Sequence, residues 1–275
     1  MIYRLLSPSY DSAVAELVRS NLKAHQLDIP GTVYFDDNLY HLSEFYNAMP
    51  DKRIYYVLTD KEKSEIKESI PGALEYICVD KESVNEIDKR IRTAQGTYVL
   101  FIDKDMRFVS KKMPLNMMKY LMQPDVCVTT PLIVDSNEKV IQGPLILGMS
   151  KCIDYSFKGV SKNNYGYGFR LWMPQNVSAI DYRCCMLKKD TYVKCGGLDT
   201  SLEIDMSVLK YCLLNSNGNM RAVYVPADLF KYTGKVKYLD FKDTVDVIKE
   251  LAGGSLKDKY FNENLSLKYT DYIIK

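Results

Sequence analysis

Two carboxylates two residues apart are the first candidates for chemistry in this sequence. Asp103 and Asp105 directly follow the apolar run TYVLFI at residues 97–102, where a buried strand would leave the core. Adjacent carboxylates repel each other unless a cation or a solvated turn separates them. A divalent cation bound to a diphosphate suits the pair, because Mg²⁺ and Mn²⁺ bind carboxylates together with phosphate oxygens. A solvated turn explains the same spacing, so the two residues alone leave both interpretations open.

The elements that would position this pair alternate along the first half of the chain. Apolar runs typical of strands, at residues 54–58, 76–79 and 97–102, are separated by stretches with helical spacing, such as residues 82–93. This alternation predicts a parallel sheet, whose ligands bind beyond the carboxyl ends of the strands. Polar clusters fall at three such ends, at residues 8–11, 59–60 and 103–105.

The second half of the chain is less regular, but apolar runs and glycines still mark several elements. Strands are predicted at residues 125–130, 182–187 and 222–225, the last one closed by Pro226. Helices are predicted at residues 190–194, ended by Gly196 and Gly197, at residues 205–214, and from residue 237 to the break at Gly253 and Gly254.

Two longer segments carry a specific pattern. Residues 94–105 read AQGTYVLFIDKD, and residues 185–199 read CMLKKDTYVKCGGLD, with VYVP following at residues 223–226. The first resembles the segment A-x-G-x-Y-[ILV]-x-F-[LI]-D-x-D of the inverting glycosyltransferase family 2. The second is similar to that family's C-M-L-x-[RK]-x-x-[FY]-x-x-x-G-G-[FL]-D. The opening LSPSYD at residues 6–11 is similar to its nucleotide loop.

The resemblance implies an enzyme that transfers a sugar from a nucleotide-diphosphate sugar, most often a UDP-sugar, to an acceptor hydroxyl with inversion. It implies that Asp103 and Asp105 hold a divalent metal, Mn²⁺ or Mg²⁺, and that Asp103 belongs to the donor site. Asp205 or Glu203 is then the base that accepts the hydroxyl proton. Asp205 is favoured, because its distance to the helix end at residues 217–218 fits better. The plainer alternative is that Asp205 only caps a helix.

The nucleotide would be bound by residues near the start of the chain. The family's nucleotide loop corresponds to Pro8, Ser9 and Tyr10, and the tyrosine ring could stack on the base. Asp60 matches the family's acidic residue after the second strand, which hydrogen-bonds the base. A packed tyrosine and a turn residue are the plainer interpretations of Tyr10 and Asp60.

Two departures from the family pattern leave a second interpretation open. The family often has a histidine after V-P that joins the metal shell, whereas this chain has Lys231 in that stretch, a candidate fixed cation for the diphosphate. The usual Glu-Asp pair is also spread into Glu203 and Asp205. A non-catalytic binding or scaffold domain of the same fold therefore remains an alternative. A nucleotidyltransferase is disfavoured, because residues 7–10 contain no Gly, Lys or Arg to hold a triphosphate.

The resemblance also predicts the fold and its division. We expect an α/β protein of the GT-A fold, with a Rossmann-like, mostly parallel central sheet flanked by helices and a C-terminal helical tail. One GT-A domain would span residues 1–235, with a nucleotide-binding half at 1–108 and an acceptor half at 109–235. Residues 236–275 would form a C-terminal helical extension.

Composition narrows the partners and the compartment. The 275 residues carry a formal net charge of +2, which gives no general field to attract nucleic acid. No signal peptide and no span of ~20 apolar residues is apparent, and seven cysteines without a C-x-x-C pair indicate buried thiols. We expect a cytoplasmic protein, and a Lys- and Tyr-rich tail leaves peripheral contact with the inner membrane face open. The acceptor would be a glycan, a lipid-linked saccharide or a surface protein.

Overall fold

A central nine-stranded sheet organises the computed structural model, which describes residues 54–58, 73–78, 83–94, 97–103, 105–108, 113–236, 238, 241–270 and 272. The apolar run IYRLL at residues 2–6, which also predicts a strand, lies outside these residues. Four predicted site residues lie outside them as well: Pro8, Ser9, Tyr10 and Asp60.

Three parallel strands make up one side of the sheet, in the order β2-β1-β3. They are β1 (Ile54–Leu58), β2 (Ala73–Cys78) and β3 (Tyr98–Ile102). Helix α1 (Val84–Thr93) connects β2 to β3, and its N-cap Ser83 accepts a hydrogen bond from the N–H of Glu86 at 3.3 Å. Strand–helix–strand alternation in this half is therefore confirmed.

The second half of the chain adds strands that run in both directions. The order continues from β3 through β10 (Cys184–Lys188), β5 (Val126–Val134) and β11 (Arg221–Tyr232) to β4 (Met106–Phe108). Strand β10 is antiparallel to both β3 and β5, and β11 is parallel to β5 but antiparallel to β4. The expected mostly parallel sheet is thus corrected to a mixed one.

Shorter elements complete the second half. The strands are β6 (Val140–Gln142) on β5, β9 (Gln175–Val177) on β11, and the separate hairpin of β7 (Leu145–Leu147) and β8 (Ile153–Tyr155). The helices are α2 (Met113–Leu121), α3 (Lys189–Lys194) and α4 (Ile204–Asn217).

Strand β3 is buried on both sides because helices cover both faces of the sheet. Val99 and Phe101 pack in the cluster that contains apolar residues of α1 and α4. Leu100 and Ile102 point to the other face and pack in the cluster that contains residues of α2. A continuous apolar run is what such a doubly covered strand requires, so the predicted α/β class with flanking helices is confirmed.

Strand β11 continues past the residue that was expected to end it. The pairing with β5 shifts register between Val225 and Leu229 and then resumes as far as Lys231. Pro226 has no N–H for the ladder, so the strand passes it as an irregularity instead of stopping there. This extension matters for the site, because it carries Lys231 and Tyr232 to the same edge as the end of β3.

The C-terminal segment is helical only in part. Helix α5 (Val245–Leu251) follows a 3-10 turn at Lys242–Thr244, and the chain turns at Gly253 and Gly254, both at positive φ, as predicted. The described residues after this break form turns and extended chain, so the expected helical tail is confined to the stretch before the glycines.

The remainder of the tail packs against the β7–β8 hairpin. The buried carboxylate of Asp258 accepts a hydrogen bond from the N–H of Leu147 at 2.8 Å. The N–H of Phe157 donates to the carbonyl of Thr270 at 2.6 Å, and the Tyr272 ring stacks on Phe157 with centroids 4.8 Å apart. The tail therefore shares the core of the second half.

Candidate active site

The Asp103–Asp105 turn lies at the carboxyl end of β3 and is held by the neighbouring strand. Asp103 is 1% exposed, and its N–H donates to the carbonyl of Arg183 at 2.8 Å. One oxygen of its side chain, Oδ1, accepts a hydrogen bond from the N–H of Asp105 at 3.0 Å. Asp105 itself is half-buried, so it is the more accessible carboxylate of the pair.

The end of β11 packs against this turn from the other side. The carbonyl of Asp105 accepts hydrogen bonds from the N–H and the hydroxyl of Thr233, at 2.9 and 3.0 Å. A Cβ at Gly234 would collide with the carboxylate of Asp105 and with the hydroxyl of Tyr232. Glycine at this position therefore allows the Asp105 carboxylate to pack closely against the backbone. In the strand ladder, Lys231 lies opposite Arg107 of β4, which follows the Asp103–Asp105 turn.

A charged turn before β10 was not singled out from the sequence. Asp181 is fully buried and accepts hydrogen bonds from the Tyr155 hydroxyl at 2.5 Å and the Arg183 N–H at 2.8 Å. It also forms an ion pair with the Arg183 guanidinium at 2.6 Å. The signal that could have revealed this turn is the pair of opposite charges directly before an apolar strand, at residues 181–183.

Asp205 lies in the first turn of α4 and is half-buried. The N-cap position belongs to Glu203, whose side chain is exposed and makes no capping hydrogen bond. The plainer interpretation of Asp205 as the N-cap is therefore wrong, because the helix begins at Ile204 and Asp205 already lies inside its first turn. Partial positive charge at a helix N-terminus stabilises an ionised carboxylate in the first turn.

The hydroxyl of Tyr182 is affected by the charges of three carboxylates. Burial raises the pKa of its hydroxyl, and the charges of Asp205, Asp181 and Asp103 raise it further. The Tyr232 hydroxyl is affected by the Asp103–Asp105 turn, since burial and the charges of Asp103 and Asp105 raise its pKa to about 12. The segment that carries the candidate metal ligands and the segment that leads to the candidate base are joined by the pairing of β3 with β10, directly after Tyr182.

The charge of this region favours a cation. Asp103, Asp181 and Asp205 act on Tyr182, and Asp103 and Asp105 act on Tyr232, whereas only Asp181 is shown paired with the buried guanidinium of Arg183. No three His, Cys, Asp or Glu side chains in the described part of the chain lie close enough to hold a metal ion by themselves. Two carboxylates nevertheless fit a Mg²⁺ or Mn²⁺ ion whose other ligands are phosphate oxygens and water, and Asp105 is the more accessible of the two.

A buried network holds the loop between α3 and α4. The carboxylate of Asp88 on α1 accepts hydrogen bonds from the Tyr192 hydroxyl at 2.6 Å and the Leu198 N–H at 3.2 Å. Arg92 bonds Asp88 at 2.7 Å and also donates to the carbonyl of Gly196 at 2.7 Å. Helix α1 therefore fixes the Gly-Gly-Leu turn that leads to the start of α4.

Replacing Gly197 by alanine is expected to lower the free energy of unfolding by about 2–4 kcal/mol. Gly197 has φ +76°, and an added Cβ would meet the guanidinium of Arg92 and the carboxylate of Asp88. Gly196→Ala is the matched control, because Gly196 has φ +89° but open space around its Cβ. Urea unfolding of both variants should show the larger loss at Gly197, and equal losses would contradict a role of the Asp88–Arg92 packing.

Comparison with curated proteins gives a sequence match at low identity. No family model matches the chain. It is 22% identical over 196 residues to the uncharacterized protein y4gI of Sinorhizobium fredii, a match that covers 67% of this chain and 22% of that protein. The chain thus spans about a fifth of the length of this curated relative.

Solved structures with a similar arrangement include two that contain nucleotides and Mn²⁺. GalNAc-T7 with UDP, GalNAc and Mn²⁺ has 10% identity and a TM-score of 0.48, covering 67% of this chain and 44% of that chain. The mannosyltransferase PcManGT from Pyrobaculum calidifontis, in complex with GDP-Man and Mn²⁺, has 12% identity and a TM-score of 0.42, covering 81% and 68%. A197 from STIV has 9% identity and a TM-score of 0.40, covering 68% and 89%. Because these TM-scores are below 0.5, we base the proposals on the chain's own residues.

In the part of the chain that the structure describes, no helix combines the length and the apolar character needed to cross a bilayer.

Proposed function

We propose that this protein is a GT-A glycosyltransferase of the family 2 type, which transfers a sugar from a nucleotide-diphosphate sugar to an acceptor hydroxyl with inversion. One observation carries the proposal. The two segments that resemble family motifs lie far apart in sequence, yet β3, which leads to the Asp103–Asp105 turn, pairs directly with β10, which belongs to the second segment. This pairing supports a site in which carboxylates suited to the leaving group and to the nucleophile act together.

Asp205 is the proposed general base. It accepts the proton of the acceptor hydroxyl while the hydroxyl oxygen forms a bond to the anomeric carbon, and the bond from that carbon to the diphosphate oxygen breaks with its electron pair. Its place in the first turn of α4 puts a half-buried carboxylate at the start of that helix. Glu203 is exposed, and no described contact links it to the Asp103–Asp105 turn, so it is the less favoured base.

The donor side of the proposed site is built around the Asp103–Asp105 turn. Asp105, with Asp103 behind it, would hold a divalent metal. Such an ion supplies positive charge that stabilises the departing diphosphate. Lys231, Pro8, Ser9, Tyr10 and Asp60 remain proposed donor contacts from the sequence resemblance.

The wider biology is proposed on the same basis. The donor is a UDP-sugar in the simplest case, and the acceptor is a glycan, a lipid-linked saccharide or a surface protein. The division into a nucleotide-binding half (1–108), an acceptor half (109–235) and a C-terminal extension (236–275) is likewise a proposal. A cytoplasmic location, with peripheral contact at the inner face of the membrane, suits such substrates.

A thermal-shift screen tests the proposal. UDP-, GDP- and dTDP-sugars are each titrated into the protein with Mn²⁺. The correct nucleotide-sugar, once it reaches about ten times its dissociation constant, should raise the melting temperature by about 3 °C or more. No stabilisation by any of them, with or without metal, would reject the proposed function. Stabilisation without hydrolysis of the sugar donor or transfer to any acceptor would instead favour the non-catalytic binding domain of the same fold.

A further inference from the structure

Arg183 is a buried cation for which the sequence resemblance provides no role. Its side chain is 3% exposed, and its backbone carbonyl holds the N–H of Asp103 at 2.8 Å. The guanidinium lies 5.7 Å from the centre of the Tyr232 ring, at the end of β11. Arg183 therefore contacts the Asp103–Asp105 turn through its backbone and the end of β11 through its side chain.

Asp181 satisfies only part of this guanidinium. A guanidinium has five N–H donors, and buried donors are nearly always hydrogen-bonded. Nη2 forms the ion pair with Asp181 and the guanidinium also contacts the Tyr155 hydroxyl, whereas Nη1 is buried and is not fully satisfied by the residues that the structure describes. The side chain thus has donor capacity left for an acceptor-rich group.

The charge of Arg183 is permanent. Burial alone would lower its pKa, but the charge of Asp181 and the hydrogen bond to it raise the pKa above its usual value. The Tyr155 hydroxyl and the Tyr232 ring lie beside the guanidinium, whose side chain is buried. A fixed positive charge in such surroundings attracts an anion more strongly than a solvated lysine does.

We propose that Arg183 is a fixed cation of the donor site, and that it binds the diphosphate of the nucleotide-sugar beside the Asp103–Asp105 turn without requiring a metal. This inference rests on the proposed function and adds a residue to it. It also gives the role of fixed cation, which the sequence suggested for Lys231, to a buried arginine contributed by the turn before β10. Lys231 is half-exposed, and its strand neighbours are Arg107 and Val134.

Calorimetric titration of nucleotides into the full chain tests this inference. The probes are UDP, GDP and dTDP with their monophosphates, each measured in EDTA and again with Mn²⁺. In EDTA, the wild-type chain should bind the correct diphosphate more tightly than its monophosphate. Arg183→Gln should reduce the affinity for the diphosphate by about 10–100-fold and leave the affinity for the monophosphate nearly unchanged. General damage to the fold would instead weaken the binding of the diphosphate and of the monophosphate together.

Two further variants separate binding from folding. Arg183→Gln leaves Asp181 buried without its ion pair, so the double variant Asp181→Asn/Arg183→Gln removes both charges and should show the same selective loss. Arg221→Gln is a control away from the site, because Arg221 forms a more exposed ion pair with Asp125 at 2.7 Å at the opposite end of β11. This control should bind both nucleotides as the wild type does.

Each result has a defined meaning. A double variant that keeps the wild-type preference for the diphosphate in EDTA would overturn the role of Arg183, and so would a loss of that preference in Lys231→Gln but not in Arg183→Gln. Wild-type binding that appears only with Mn²⁺ would also overturn it, while the proposed glycosyltransferase function would stand. Absence of nucleotide binding under every condition would reject both.

Discussion

Asp205→Asn is expected to lower the rate of sugar transfer by about 10²–10⁴-fold while the affinity for the nucleotide-sugar donor stays near the wild-type value. Asparagine keeps the size of the side chain but cannot accept the proton of the acceptor hydroxyl. Donor binding is spared because the proposed base acts on the acceptor. Steady-state kinetics with a saturating donor, together with calorimetric titration of the donor, measures the two quantities separately.

A matched control is available on the preceding helix. Asp190 also lies in the first turn of a helix, α3, but its side chain is exposed. Asp190→Asn repeats the chemical change away from the site and should retain transfer. If Glu203→Gln abolishes transfer and Asp205→Asn does not, the assignment of the base is wrong and the exposed carboxylate before α4 carries that role.

Asp105→Asn should remove the metal-dependent part of donor binding. Loss of an outer-shell partner weakens metal binding by about 10–100-fold, and loss of a direct carboxylate ligand should cost at least as much. Titrating the donor at rising Mn²⁺ concentrations should therefore show strong enhancement in the wild-type chain and little in the variant. The same variant should bind the donor in EDTA about as well as the wild type does, since the charge of Arg183 is retained.

Asp246→Asn provides the comparison for this variant, because Asp246 is an exposed carboxylate in the first turn of α5. Its response to Mn²⁺ should match that of the wild-type chain. Unchanged Mn²⁺ dependence in both Asp105→Asn and Asp103→Asn would refute the proposed metal ligands and would leave the carboxylate pair as a solvated turn.

Local patterns in the sequence determined much of the secondary structure. The apolar run that became β3, the helical spacing of α1 and the glycines that end α3 depend on interactions within a few residues, and the structure confirms all three. The Asp103–Asp105 pair could be found for the same reason, because it directly follows a strand whose burial is evident. The motif resemblance also links this turn to Asp205.

Only the tertiary structure decided which distant segments meet. The antiparallel insertion of β10 between β3 and β5 places Arg183 against Asp103, and the passage of β11 beyond Pro226 brings Tyr232 to the same turn. The hydrogen bonds of Asp88 to Tyr192 and Leu198 likewise join residues about a hundred positions apart. Strand direction, register and such contacts depend on how all elements share one core, and no short stretch of sequence contains that information.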